Sequence, residues 1–166
     1  MALHPLMRRL TRVLALLLVT ALLAAAPASA CFGPKLYIGT DVGPEQDFLY
    51  ALVALYVKEK TGVETVRVPL AASDPVAEIA AARVDLAFAA VTEERGTAIL
   101  SPVGFSRLLA GPRVRDDLQF TTVLPALRKL AGLVTPADLA QQVASVSQGA
   151  APAATARHFL STRGWL

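Results

Sequence analysis

Histidine and cysteine are nearly absent from this 166-residue chain: two histidines, His4 and His158, and one cysteine, Cys31. One thiol cannot form an intramolecular disulfide, and two imidazoles 154 positions apart, His4 and His158, leave no triad or metal-ligand spacing to argue from. Aromatic residues make up 6% of the chain and charged residues 17%. No phosphate-cradling glycine loop and no cluster of Lys and Arg that could follow a nucleic-acid backbone is present. Enzymatic function and nucleic-acid binding are therefore both disfavoured, and no cofactor is implied.

What is abundant is apolar, and the first stretch of it is ordered in a telling way. Arg8, Arg9 and Arg12 precede a run from Val13 to Ala26 that is apolar but for Thr20, followed by Pro27-Ala28-Ser29-Ala30. A basic region, an apolar region too short for the roughly 20 residues of a bilayer-spanning helix, and a small-x-small end form the pattern of a secretory signal. The expectation is a signal peptide over residues 1–30 and one compact domain over residues 31–166, in the periplasm or secreted. Removing Arg8, Arg9 and Arg12 leaves 13 of the 16 basic residues against all 13 acidic ones, so the exported part is formally neutral. Cys31 would then be the first residue after the cut. Two readings stand for it: a spare thiol on a soluble protein, or the acylated first residue of a lipoprotein, for which the usual Leu three positions earlier is replaced by Ala28.

Periodicity organises the rest. Leu36-Tyr37-Ile38-Gly39 reads as a buried strand. A helix follows, with Pro44 in its first turn, Glu45 and Asp47 at the positive end of its dipole, Leu49, Leu52, Val53 and Tyr56 on one face, and Gly62 as its stop. Val66 to Leu70 reads as a second strand, Ser73-Asp74-Pro75 to Ala82 as a second helix and Val84 to Ala90 as a third strand. Strand, helix, strand, helix, strand over about 55 residues implies an α/β fold with a parallel sheet and right-handed crossover helices. Residues 98–111 carry a weaker pattern, broken by Pro102, Gly104 and Gly111, with room for one short strand. Leu118 to Val123 reads as a further strand. Pro125 to Leu133, a helix opened by Thr135-Pro136-Ala137-Asp138, and Pro152 to Arg163 read as C-terminal helices.

Ligands in such sheets bind beyond the carboxyl ends of the strands, which directs attention to Thr40–Gln46 and Val91–Arg95. Thr40, Asp41, Glu45, Gln46 and Thr92 are the candidate ligand-binding residues. Each has a plainer reading: Asp41 as a loop cap, Glu45 and Gln46 as complements to a helix dipole. Tyr37, Phe48 and Tyr56 are expected in the core, Tyr50 nearer solvent, Trp165 as a packing anchor and His158 on a helix surface. Glu93-Glu94 and Asp116-Asp117 read as solvated charges.

Several of these segments, in this order, resemble the substrate-binding proteins of glycine betaine, carnitine and choline ABC transporters. Leu36-Tyr37-Ile38-Gly39-Thr40, Glu45-Gln46, Lys60-Thr61-Gly62 and Ala82-Arg83-Val84-Asp85-Leu86 are similar to that family's first strand, first helix and third strand. Leu124-Pro125-Ala126-Leu127, Leu130 to Thr135, Ala156-Arg157-His158-Phe159-Leu160 and Gly164-Trp165-Leu166 look like its closing helices. The resemblance implies one lobe of a periplasmic-binding-protein-like fold, a quaternary ammonium ligand such as glycine betaine or choline, and an ABC transporter permease as partner. Two departures qualify what it implies. The segments of a second lobe are missing between them. The family's aromatic segment after the third strand is also replaced by Phe88 to Glu94, and its Lys and Phe after the first strand by Asp41 and Gly43. A quaternary ammonium is held by ring faces, so the cage does not carry over residue by residue. The alternative is an envelope protein-interaction module derived from the same lobe.

Overall fold

The structure, a computed structural model, describes residues 33–90, 92–103 and 106–166. The signal segment, Cys31, Val91, Gly104 and Phe105 lie outside the described residues. Among those described, no helix is long and apolar enough to cross a membrane.

β1 (Lys35–Thr40) runs into α1 (Pro44–Thr61), β2 (Glu64–Pro69), α2 (Pro75–Ala80) and β3 (Leu86–Ala90). β2 and β3 both pair with β1 in parallel, as the alternation of strands and helices requires when each crossover returns the chain to the same end of the sheet. Two strands follow where one was expected: β4 (Thr97–Val103) and β5 (Ser106–Ala110). β5 runs antiparallel to β3 and β4 antiparallel to β5, giving a mixed five-stranded sheet in the order β2-β1-β3-β5-β4. The fold class is thus α/β with a mixed sheet, a correction to the all-parallel expectation. Pro102 weakened the strand pattern in the sequence, but β4 is an edge strand, where a residue without an N–H is tolerated, and its pairing is irregular between Leu100 and Val103.

The expected strand at Leu118 to Val123 is also corrected. Pro112–Asp116 forms a short helix, α3, and Leu118–Phe120 a 3-10 turn whose first residues are held by the Asp117 carboxylate accepting from the Gln119 amide at 2.9 Å. Leu118 is 85% exposed and Phe120 fully buried, so this segment has a single anchor and not an alternating face. α4 (Val123–Leu133), α5 (Pro136–Ser147) and α6 (Pro152–Thr162) complete the chain. The capping box at α5 forms as expected, with the Thr135 hydroxyl accepting from the Asp138 amide and the Asp138 carboxylate accepting from the Thr135 amide.

α1 is the centre of the molecule. Phe48, Leu49, Ala51, Leu52, Val53, Tyr56 and Val57 are all buried, more than one helical stripe can account for, because the sheet packs on one side of α1 and α4, α5 and α6 pack on the other. Phe159 meets Phe48 and Trp165 edge-on, at 6.5 and 5.6 Å between ring centroids. Leu36, Ile38, Leu86, Phe88, Leu108 and Ala110 face this core from the sheet. The opposite face is covered far more thinly: Leu70, Val84 and Ala87 are buried there, with Val68 and Ile79 of α2 packed on them. Tyr37, expected in the core, alternates onto a face of β1 away from Leu36 and Ile38 and is 38% exposed.

Candidate functional site

Three loops converge at the carboxyl ends of the parallel strands. The one after β1 turns into α1, and the one after β2 passes through Ala71 and Ala72, both at positive φ (50° and 66°), before α2. The third leaves β3 toward β4. Two consecutive non-glycine residues in the left-handed region cost about 1 kcal/mol or more each, and the fold sustains them beside this mouth. Between the loops lies an open cleft of about 600 Å³ bordered by Asp41, Gln46, Ala72 to Pro75, Phe88 to Ala90, Thr92, Glu93 and Ser106. Of the residues expected from sequence, Asp41, Gln46 and Thr92 line it.

Thr40 and Glu45 do not. Thr40 is 1% exposed, and its Oγ1 accepts from Arg67 Nε at 2.7 Å. Arg67, on β2 opposite Ile38, also donates to the Asp41 carbonyl at 3.2 Å, pairs with Asp47 of α1 at 2.6 Å and lies over the Tyr50 ring at 5.5 Å. One guanidinium thereby ties the β1–α1 loop to the sheet and to the helix it enters, and the Thr40 hydroxyl is spent on that clamp. Thr40 instead borders a smaller hollow of about 380 Å³ with Asp41, Val42, Asp47, Arg67, Pro69 and Ala71. Gly43 precedes α1 at φ 143°, a conformation closed to side chains other than hydrogen, so an aromatic residue has no place there in this loop.

Asp41 serves as a cap and faces the cleft as well. Its amide donates to the Gln46 side-chain oxygen, and its carboxylate accepts from the Ala72 amide at 3.3 Å. Asp74 caps α2 through the Val76 amide at 3.0 Å. Glu93 is not simply a solvated charge, since Arg95 brackets it: Nε at 2.9 Å, Nη2 at 2.6 Å and the Arg95 amide at 2.8 Å. The same guanidinium reaches Asp74 at 3.1 and 3.3 Å, joining the β3–β4 loop to the start of α2. The Arg95 side chain, then its amide and the charges of Arg95 and Arg107, hold the Glu93 carboxyl down at about 2. Arg95 was not singled out in the sequence. The signal for it was there, in Glu93-Glu94-Arg95 beyond a strand end, but nothing local places Asp74 against it.

The cleft thus gathers three carboxylates, Asp41, Asp74 and Glu93, with Arg95 at their rim and Arg107 Nη1 donating to the Glu93 carbonyl at 2.9 Å. Asp74 and Glu93 are both paired with Arg95, so among the described residues Asp41 is the carboxylate of the lining outside any ion pair. No group of three His, Cys, Asp or Glu side chains among the described residues could hold a metal ion. His158 is exposed on α6, and Asp116 is likewise exposed. No family model matches the chain, and neither a curated protein nor a solved structure is found similar to it.

Proposed function

We propose that the chain is an exported solute-binding module, one lobe of a periplasmic-binding-protein-like fold, that presents a small organic cation to an ABC transporter permease. Glycine betaine and choline belong to that ligand class, and the role asks for binding and not for catalysis. The observation that carries the reading is the acidic cleft at the carboxyl ends of β1 and β3, where an α/β sheet offers its ligands a site. Release from the membrane or anchorage through an acylated Cys31 are both compatible with it, and mass spectrometry of the mature N-terminus distinguishes them.

Because the described cleft is open, its ligands are expected at Kd of about micromolar or weaker. Thermal unfolding in the presence of millimolar choline, glycine betaine, carnitine, ethanolamine and amino acids tests the reading. A ligand at about 100 times its Kd adds about 2.7 kcal/mol of stability. No stabilisation by any of them would remove solute binding from consideration. The second reading, a protein-interaction module of the cell envelope, draws on Val42, 95% exposed beside the smaller hollow. A Val42→Asp substitution that abolished capture of an envelope partner, with ligand screens negative, would favour it.

A further inference from the structure

We propose that residues 71–83 form a sprung strap, hinged at Ala71-Ala72 and at Ala82 and latched to the β3–β4 loop by Arg95, that swings off the sheet as a unit while the core stays folded. This motion is independent of what the cleft binds.

The segment lies between two firm anchors. Leu70 before it is buried and its amide donates to the Thr40 carbonyl at 2.9 Å; Val84 after it is buried, and the Asp85 amide donates to the Tyr37 carbonyl at 2.8 Å. No residue from 71 to 83 is itself buried. The segment nevertheless holds together. The Glu78 amide donates to the Asp74 carbonyl, the Ala81 amide to Ala77 and the Arg83 amide to Glu78, all at 2.9 to 3.0 Å, and the Arg83 guanidinium grips the Glu78 carboxylate at 2.5 and 2.7 Å. A stretch that bonds to itself and buries little against the body can open cooperatively, well below the cost of global unfolding.

The hinges store strain. Ala71, Ala72 and Ala82, at φ 50°, 66° and 55°, are the non-glycine residues at positive φ among those described, and all three sit just inside the anchors. A Cβ disfavours that region, so release of the segment lets the alanines relax to ordinary conformations. Strain therefore presses toward opening. Opposing it among the described residues are Ile79, packed on Leu70, Val84 and Ala87, the Ala72 amide donating to Asp41 at 3.3 Å, and Arg95 donating to Asp74 at 3.1 and 3.3 Å. Ala72 to Pro75 border the cleft, so the swing widens it and uncovers the small apolar cluster beneath α2.

Native-state hydrogen exchange on the purified protein, at fixed neutral pH over a series of low urea concentrations, tests this. The amides of Glu78, Ala81, Ala82 and Arg83 are expected to share one opening, less protected than the amides of α1 and with a weaker dependence on urea. Arg95→Ala is expected to lower their protection about threefold, as loss of an exposed ion pair does, and to leave α1 unchanged. Ala72→Gly is expected to raise it about fivefold by removing the strained Cβ, and Ala82→Gly to do the same from the other hinge; at an unstrained position glycine acts in the opposite direction. Exchange of the four amides only through the global unfolding that exposes α1, unchanged protection in Arg95→Ala, or protection lowered by the glycine substitutions overturns the proposal.

Discussion

The two faces of the sheet are built to different standards. On one, α1 lies between the strands and three C-terminal helices, with Tyr56, Phe48, Leu127, Leu130 and Leu139 almost wholly buried. On the other, a six-residue helix covers Leu70, Val84 and Ala87. The cleft belongs to the lightly covered region: α2, its Asp74 cap and the strained Ala71-Ala72 turn all border it or lead into it. Apolar burial is concentrated on the face away from the cleft, and the loops around the cleft are held by a few charged contacts, Arg67 on one side and Arg95 on the other. Segments of low local stability are where binding loops are commonly found, since they can adjust without unfolding the core.

Substitution can break that contrast. Phe48→Ala removes a fully buried ring from the thick layer and is expected to cost about 3–5 kcal/mol, read as a lower urea midpoint. Asp85→Ala comes next. The Asp85 carboxylate is 6% exposed, accepts from the Tyr37 amide at 2.8 Å and holds Arg113 Nη1 at 2.9 and 3.1 Å. Arg113 can recover water on its exposed side, so the loss is expected at about 2 kcal/mol, most of it from the stranded Tyr37 amide. Leu70→Ala in the thin layer is expected to cost about 2 kcal/mol, at the low end for such a truncation because the cover there can settle. A loss from Leu70→Ala equal to that from Phe48→Ala would show that the two faces are alike in stability.

The smallest expected effect is that of acid on the rim. Glu93 titrates at about 2 in the folded chain against an ordinary value of 4.5, held there by Arg95 first and by Arg107. A carboxyl whose folded value is depressed contributes stability above its unfolded value and loses it as pH falls toward the folded one. Ordering of the β3–β4 loop should therefore decline between about pH 4.5 and 2, and the protection of the Arg95 and Gly96 amides from hydrogen exchange, measured relative to the intrinsic rate at each pH, should fall over that range before protection in α1 does. Arg95→Ala is expected to abolish this step. Simultaneous loss of protection in the loop and in α1 would mean that the cleft rim and the core unfold as one unit.

Local chemistry made much of this readable beforehand. The βαβαβ order, the start of α1 at Pro44 and its stop at Gly62, the Thr135 capping box and the Trp165 anchor depend on residues close in sequence, where capping, periodicity and turn preference act directly. The gathering of the strand-end loops followed too, because parallel strands put their carboxyl-end loops on one side: Asp41, Gln46 and Thr92 border one cleft there. The sequence alone thus determined the α/β class, the succession of the first three strands along the chain and the end of the sheet at which their loops gather. Tertiary structure decided the rest. It made the sheet mixed, through a β4–β5 pairing whose edge position tolerates Pro102. It also brought Arg67 to Thr40 across 27 residues, withdrawing that hydroxyl from the site, and Arg95 to Asp74 across 21. Ser106 gained its place beside Ala90 in the same way. No local rule selects such partners, because a charged or hydroxyl side chain is indifferent to its neighbours in sequence until packing chooses which distant ones it must face.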